Sequence, residues 1–162
     1  MEETPWQQDD IRIFGKTYAQ PRLTALYGER GKPYTYSGIT MNPLPFTPLL
    51  EQLRARLRGY TDETFTTCLL NLYRDGKDSN GWHADNEKSL GPEPVIASVS
   101  LGEVRRFKLR HRDRKQLRTA IDLPHGSLLL MQGKTQQKWL HEIPKTRRFV
   151  GPRINLTFRR IY

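Results

Sequence analysis

Cysteine is nearly absent from this chain: among its 162 residues only Cys68 carries a thiol. No intramolecular disulfide can form, which suits a reducing compartment or a protein that is indifferent to redox state. Cys68 lies in residues 66–70, whose residue types are typical of a strand. We therefore expect a small buried hydrophobic residue at this position rather than a nucleophile.

Long hydrophobic runs are also missing, which argues against a helical membrane protein. The longest apolar stretches are of the size of residues 128–131, far short of the roughly 20 residues that cross a bilayer. Residues 1–10 are acidic and polar, which is not the pattern of a secretory signal. The sequence predicts a soluble, intracellular protein without membrane contact, in the cytoplasm if bacterial and in the nucleus if eukaryotic.

The chain lacks internal repeats, low-complexity tracts and linkers long enough to separate domains. Residues 1–162 are therefore predicted to form a single domain, and we expect a monomer. This length is sufficient for a hydrophobic core without disulfides to support it.

Positive charge, by contrast, is abundant. Lys and Arg together number 27 and Asp and Glu 17, which gives a net charge of +10 at pH 7. A basic field of this size attracts polyanions and makes their binding dependent on salt. Nucleic acid is the favoured partner, and a generally soluble basic protein is the alternative from charge alone.

The spacing of apolar residues predicts one helix and several strands. Residues 45–60 form the helix, with Leu49, Leu50, Leu53 and Leu57 on one apolar stripe. The period then changes to two, which predicts strands at residues 65–73, 95–101, 105–111, 119–123, 127–131 and 153–162. Many short strands after one helix favour a mainly β fold with helical cover, either a sandwich or a jelly roll with an open interior.

Two histidines and an aspartate form a candidate metal site. His83 and Asp85 are two residues apart, so both side chains point the same way on an extended segment, while His141 must be delivered by the fold. Two imidazoles and one carboxylate are the ligands that hold non-haem ferrous iron and leave coordination positions open for chemistry. On spacing alone, a solvated histidine in a turn is the alternative.

The segment 153–159, Arg-Ile-Asn-Leu-Thr-Phe-Arg, has two distinct faces when it is extended. Its even-numbered positions are apolar and fit a core, whereas Arg153, Asn155, Thr157 and Arg159 share the other face. Two arginines that face the interior of a barrel are costly unless they meet anions. A dicarboxylic co-substrate supplies two carboxylates for such planar groups.

These motifs, in this order, resemble the AlkB-type dioxygenases, which use ferrous iron and 2-oxoglutarate to remove alkyl groups from nucleobases. The triplet His83-Ala84-Asp85 with the distal His141 resembles the family's iron motif, and residues 153–159 resemble its closing signature. The resemblance covers nearly the whole chain, from about residue 13 to residue 162. Within the family, the chain most resembles the vertebrate homologue that works on duplex DNA.

The resemblance also implies which residues hold the co-substrate. Arg153 pairs in the family with the distal carboxylate of 2-oxoglutarate, and Thr157 and Arg159 complete its pocket. Asn71 and Tyr73 resemble the family's Asn-x-Tyr, whose side chains hydrogen-bond the same molecule, and the two would share one strand face.

Two further segments resemble the family's base pocket. In Tyr34-Thr35-Tyr36, Tyr36 takes the place of the aromatic residue that stacks on the extruded base, although hairpin packing is the structural alternative. Asn86 and Glu87 follow the iron aspartate, and close relatives carry an acidic residue where Asn86 stands. An amide offers no charge to a cationic methylated base, so we expect weaker preference for cationic lesions unless Glu87 supplies that charge.

A third segment resembles a finger that is specific for duplex DNA. Phe14, Gly15 and Lys16 match a tight loop whose aromatic residue fills the gap left by the flipped base, although a core Phe at a turn is the ordinary alternative. Residues 145–148 lie where the duplex-specific relative grips the DNA backbone with a basic loop, and Thr146 replaces one basic residue there.

Two other histidines are not expected to bind iron. Residues 105–118 form a further basic stretch, which we expect to be a solvated outer strand face, and His111 within it is expected on the surface. His125, in the turn Pro-His-Gly-Ser, is expected to make a structural hydrogen bond.

Together these matches imply a double-stranded β-helix, or jelly roll, with a nucleotide-recognition lid over about residues 10–60 and the core over about residues 61–162. The implied function is oxidative demethylation of 1-methyladenine and 3-methylcytosine in DNA with Fe(II), 2-oxoglutarate and dioxygen. Because the pairing edge is reached only outside the stack, base flipping from a duplex is implied. Two alternatives are an oxygenase of the same fold that acts on RNA or protein, and a nucleic-acid-binding module without turnover.

Overall fold

The computed structural model describes residues 4–13, 15–36 and 38–162, without the side chains of Arg12, Ile13 and Tyr36. Phe14 and the ring of Tyr36, both expected to contact DNA, therefore lie outside the described residues.

Strands dominate the described ranges. The N-terminal strands are β1 (Asp10–Ile13), β2 (Lys16–Ala19), β3 (Leu23–Gly28), β4 (Tyr34–Tyr36) and β5 (Ile39–Met41). Helix α1 (Pro48–Leu57) is followed by β6 (Thr67–Tyr73), β7 (Asn80–His83), a 3₁₀ turn (Lys88–Leu90), β8 (Ile96–Gly102) and β9 (Arg105–His111). The C-terminal elements are β10 (Arg118–Leu123), β11 (Leu128–Met131), α2 (Thr135–Lys138), β12 (Trp139–Ile143) and β13 (Arg153–Arg159).

Two antiparallel sheets form the body of the fold. The larger sheet has the strand order β11-β8-β13-β6-β3, and the smaller has the order β10-β9-β12-β7. Neighbouring strands are often far apart in sequence, as β13 between β8 and β6 shows, which is the topology of a jelly roll rather than a meander. The predicted mainly β architecture is confirmed.

The N-terminal segment differs from the prediction in one respect. Strand β3 lies within residues 10–60, which were expected to form the lid, yet it pairs with β6 and closes one edge of the larger sheet. Its sequence, Leu-Thr-Ala-Leu-Tyr-Gly, is buried along nearly its whole length and so lacks the period of two that marks a half-exposed strand. The hairpins β1-β2 and β4-β5 remain outside both sheets.

Two hydrophobic clusters hold these layers together. The first combines residues of both sheets, among them Leu69, Phe107 and Ile143, and therefore lies between them. The second lies on the other face of the larger sheet, where Phe158 and Cys68 pack together with leucines of α1. Cys68 is a free, fully buried thiol, which confirms the expectation of a small hydrophobic residue.

Helix α1 is shorter than the predicted residues 45–60. Thr47 caps its first turn, because its side chain accepts a hydrogen bond from the N–H of Leu50, and a proline occupies the first turn. Leu50 and Leu57 are buried as expected, but Leu49 is 65% exposed. The apolar stripe therefore runs through Leu50, Leu53 and Leu57 at spacings of three and four, and Leu49 lies beside it.

Within the described residues, no helix is long and apolar enough to cross a membrane.

We expect Phe158→Ala to lower the free energy of unfolding by about 3–5 kcal/mol, since the substitution leaves a large cavity. The Phe158 side chain is fully buried, and its ring centroid lies 6.0 Å from that of Phe65. Phe149→Ala is the matched control, because Phe149 is 102% exposed, and it should change stability by at most about 0.5 kcal/mol. Equilibrium urea unfolding measures both, and similar losses in the two variants would contradict the assignment of the core.

Candidate active site

The fold brings the three predicted metal ligands together. His141 on β12 lies opposite His83 on β7 in the antiparallel register, and Asp85 follows two residues after His83. Their ligand atoms all lie within 4.8 Å of one another, and the two imidazole centroids are 4.2 Å apart. His83 lies in a strand and not in a turn, and Asp85 and His141 are each only 4% exposed, so the alternative of a solvated histidine in a turn is wrong.

Neighbouring groups fix the orientation of the ligands. The carboxylate Oδ2 of Asp85 accepts a hydrogen bond of 2.9 Å from Nη2 of Arg159, and the Asp85 backbone N–H donates to Oε1 of Gln136 at 2.9 Å. Nδ1 of His83 lies 2.7 Å from the carbonyl oxygen of Gly81, which favours a proton on that nitrogen and leaves Nε2 as the ligand atom. Gln136 is fully buried on α2 and was not identified from the sequence.

The pKa values of the cluster suit metal binding. Burial alone would raise the pKa of Asp85, but the positive charge of Arg159, with smaller contributions from the histidines, lowers it to about 2. Burial and the neighbouring His83 lower the pKa of His141 to about 3, and burial lowers the pKa of His83. At neutral pH the cluster thus consists of two neutral imidazoles and one carboxylate, the protonation states that a divalent metal requires.

The cluster fits ferrous iron in its chemistry as well as in its shape. Two nitrogen donors and one carboxylate oxygen on one side of a cavity match the ligand set of non-haem iron sites. Nδ1 of His141 is buried and has no hydrogen-bond partner among the described residues. A buried ring nitrogen without a partner is unfavourable in a metal-free protein.

A cavity of about 140 Å³ adjoins the cluster. All five residues predicted to hold the co-substrate line it: Asn71, Tyr73, Arg153, Thr157 and Arg159. The expected alternation along β13 thus places its polar face in the cavity and its apolar face in the core. The lining also includes residues that no sequence motif indicated, among them Arg22, Asn80 and Ser98.

The two arginines of β13 differ in their partners. Arg153 is 1% exposed and donates through Nη2 to Ser100 at 2.8 Å, whereas its Nε and Nη1 have no partner among the described residues. Its guanidinium lies 5.3 Å from the ring centroid of Tyr73. Arg159 instead meets an anion inside the protein, the carboxylate of Asp85. Arg159 thus has an anion within the protein, although its Nε has no partner among the described residues, and an external carboxylate stays a prediction for Arg153.

On the side expected to bind the base, Tyr34 and Glu87 line the cavity, but Asn86 is exposed and lies outside the lining. Tyr34 is 1% exposed, and the guanidinium of Arg159 lies 5.1 Å from its ring centroid. Oε2 of Glu87 is buried without a hydrogen-bond partner in the described residues, and burial raises the pKa of this carboxyl group. Thr35 is exposed and shares a hydrogen bond of 2.9 Å with Thr40.

Gly15 and Lys16 are both exposed at the connection between β1 and β2. Gly15 has a φ of 78°, the left-handed region that glycine adopts without strain. Lys16 pairs with Ile13 in the β1-β2 ladder, and the finger itself stays a prediction.

Three predictions about basic residues and histidines had different outcomes. Arg105 was expected on a solvated strand face but is 3% exposed, because its guanidinium donates to the carbonyls of residues 75, 78 and 144. His111 was expected on the surface but is buried, and its Nδ1 accepts hydrogen bonds from two backbone N–H groups. The structural hydrogen bond expected of His125 is confirmed, since its Nδ1 accepts from the N–H of Gly102 at 2.9 Å.

Comparisons with known proteins agree with this site. The profile of the 2OG-Fe(II) oxygenase superfamily matches residues 1–159. Alpha-ketoglutarate-dependent dioxygenase alkB homolog 3 of Mus musculus is 47% identical over 169 residues, which cover 99% of this chain and 58% of that protein. DNA oxidative demethylase ALKBH2 of Homo sapiens is 42% identical over 158 residues, which cover 93% of this chain and 60% of that protein.

The chain thus spans about three fifths of the length of these two relatives. Among solved structures, that of OsALKBH1 is similar with a TM-score of 0.66 and 18% identity, covering 96% of this chain and 84% of that one, which bears on the fold alone. With a matching profile over nearly all of its residues and two such relatives, the chain belongs to the 2OG-Fe(II) oxygenase superfamily.

Proposed function

We propose that this chain removes alkyl groups oxidatively from nucleobases in DNA, as an Fe(II)- and 2-oxoglutarate-dependent dioxygenase. The observation that carries the proposal is one cavity that joins a metal-binding cluster to the unpaired donors of Arg153. A reaction between iron and a dicarboxylic co-substrate requires a site that binds a cation next to a site that binds a carboxylate. The names of the two relatives and the net charge of +10 support DNA as the substrate.

In this reaction His83, Asp85 and His141 hold the iron. Bound iron, with 2-oxoglutarate and dioxygen, supplies the oxidation of the N-alkyl carbon, which then leaves the base as an aldehyde. Since the pKa values of all three ligands lie below their ordinary values, no proton has to leave before the metal binds at neutral pH. Arg159 keeps the carboxylate of Asp85 in place throughout.

Arg153 binds the distal carboxylate of 2-oxoglutarate through Nε and Nη1. Its third nitrogen is anchored on Ser100, so the two free donors have a fixed direction. Asn71, Tyr73 and Thr157 line the same cavity and contribute further polar contacts to the co-substrate.

Glu87 recognises the charge of the base, in place of the exposed Asn86. A cationic base such as 1-methyladenine or 3-methylcytosine stabilises the ionised form of this carboxyl group, whose buried Oε2 has no hydrogen-bond partner among the described residues. The neighbouring Tyr34 belongs to the same wall of the cavity. With Thr35 and the ring of Tyr36, which stacks on the extruded base, these residues form the base pocket.

The preferred form of the substrate is duplex DNA, bound by a monomer in the cytoplasm of a bacterium or the nucleus of a eukaryote. Phe14, Gly15 and Lys16 form the finger that fills the gap left by the flipped base. Lys145 and Arg148 border a basic surface groove that suits contacts with DNA phosphates.

We expect His83→Ala, Asp85→Ala and His141→Ala each to abolish demethylation, because a site with only three protein ligands has none to spare. Mass spectrometry of methylated oligonucleotides, incubated with ferrous iron, 2-oxoglutarate and the protein in air, measures the turnover. His125→Ala is the matched control, since His125 lies outside the cavity, and it should retain nearly the full rate. A wild-type rate in any ligand variant would contradict the assigned metal site.

We expect Arg153→Ala to raise the KM for 2-oxoglutarate on the order of 10- to 150-fold, the equivalent of roughly 1.5–3 kcal/mol for a lost charge-assisted hydrogen bond. Steady-state kinetics at varied 2-oxoglutarate concentration measures this KM. A separate measurement of duplex affinity shows whether DNA binding changes as well. Arg106→Ala removes the same charge from an exposed pair with Asp122 and should leave this KM unchanged. An unchanged KM in Arg153→Ala would show that the carboxylate is held elsewhere.

Phe14→Ala should reduce the rate on duplex DNA much more than the rate on single strands, because a wedge helps only where a base is pulled from a stack. Competition between methylated duplex DNA, single-stranded DNA and RNA measures this preference. Tyr18→Ala on the exposed strand β2 is the control and should affect all substrates equally. Equal losses on duplex and single strands in Phe14→Ala would argue against the finger.

A further inference from the structure

Arg22 is a buried arginine in the wall of the cavity, just before β3, and no motif of the sequence points to it. It is 7% exposed. The adjacent backbone is held at two points: the N–H of Arg22 donates to the carbonyl of Gln20, and the N–H of Ser79 donates to the carbonyl of Pro21, both at 2.8 Å. These bonds fix the place from which the Arg22 side chain enters the cavity.

The guanidinium of Arg22 has an unusual partner for a buried cation. Its Nε–H donates to the amide oxygen Oδ1 of Asn71 at 2.9 Å, and no carboxylate of the described residues forms an ion pair with it. A buried guanidinium without a carboxylate is costly for folding. We therefore expect Arg22 to act in the cavity as a hydrogen-bond donor, either to a neighbouring side chain or to a bound anion.

The hydrogen bond decides which end of the Asn71 amide faces the cavity. A guanidinium has donors only, whereas an amide has an oxygen that accepts and an NH₂ group that donates. The oxygen of Asn71 must therefore face Arg22, and the NH₂ group turns away from it. Asn71 is 5% exposed and lines the cavity, so its N–H donors are left for a ligand there.

We propose that Arg22 is a positioning residue for the co-substrate: it locks the amide of Asn71 so that N–H donors, and not the oxygen, meet a carboxylate of 2-oxoglutarate. The proposal rests on the proposed function, in which the cavity binds 2-oxoglutarate. Without Arg22 the amide is free to turn over, and its oxygen then opposes the carboxylate. Arg22 acts through Asn71, so its effect depends on the presence of that amide.

The test is a double-mutant cycle on binding, without turnover. Calorimetric titration with 2-oxoglutarate under nitrogen, in the presence of Fe(II), gives the Kd of the wild type, Arg22→Met, Asn71→Ala and the double variant. We expect Arg22→Met to weaken 2-oxoglutarate binding roughly 3- to 10-fold, the range of one hydrogen bond. In the Asn71→Ala background the same change should have less than about a 2-fold effect, since the two residues act as one unit.

Two further variants separate positioning from folding and charge. Arg22→Gln keeps a donor for Asn71 without the charge and should restore most of the affinity, while Arg106→Met, which removes an exposed charge, should have no effect. Titration with Fe(II) alone should give the same affinity in the wild type and in Arg22→Met. If Arg22→Met fails to fold, Arg22→Ser takes its place in both Asn71 backgrounds with the same expectations, since the short serine side chain can be hydrated but cannot reach the Asn71 amide.

The outcomes distinguish this inference from the proposed function. A wild type that binds Fe(II) but not 2-oxoglutarate overturns both. A wild type that binds 2-oxoglutarate, with Arg22→Met unchanged or with additive effects of Arg22→Met and Asn71→Ala, overturns the positioning role alone. Additive losses would show that Arg22 contacts the co-substrate directly, and an equal loss of Fe(II) affinity would show a general structural role.

Discussion

The buried ion pair between Arg159 and Asp85 joins the two halves of the site. Its atoms are 2.9 Å apart, and both side chains are only 6% exposed. Taking these charges out of water costs several kcal/mol for each ion, which their mutual attraction offsets only while both are present. Loss of either partner leaves an uncompensated charge at a cost of about 3–5 kcal/mol. The ionisation of the Asp85 carboxylate and its direction both depend on this pair.

The two sheets contribute different chemistry to the same cavity. The smaller sheet supplies His83 and His141 through the pairing of β7 with β12, and the larger sheet supplies the anion-binding face of β13. Because side chains alternate along a strand, a slip of one residue in either register would send these groups to the opposite face. The register that places the polar face of β13 in the cavity is thus the same register that places its apolar face in the core.

The C-terminal strand was predictable from sequence because its alternation is strong: Arg153 faces the cavity and Phe158 the core. Strands β7 and β12 were not predicted. In β7, residues 80–83 contain a glycine and polar side chains, and they form a strand only because they pair with β12. The place of Arg22 in the cavity depends on the pairing of β3 with β6, which no local pattern reveals. No local pattern predicts the burial of Arg105 either, because its guanidinium donates to backbone carbonyls of residues that are distant in sequence.

The position of each strand in its sheet gives the two halves of the site different susceptibility to local opening. Strand β13 has hydrogen-bonded neighbours on both sides, so we expect the backbone that carries Arg153 to exchange its amide hydrogens only in large-scale unfolding. Among the described strands, β7 is an edge strand and pairs only with β12, and the register shifts between residues 141 and 143. Fraying of this edge frees His83 while the arginine wall stays intact. In the proposed function, opening of this edge would loosen the metal site without disturbing the wall that binds the dicarboxylic acid.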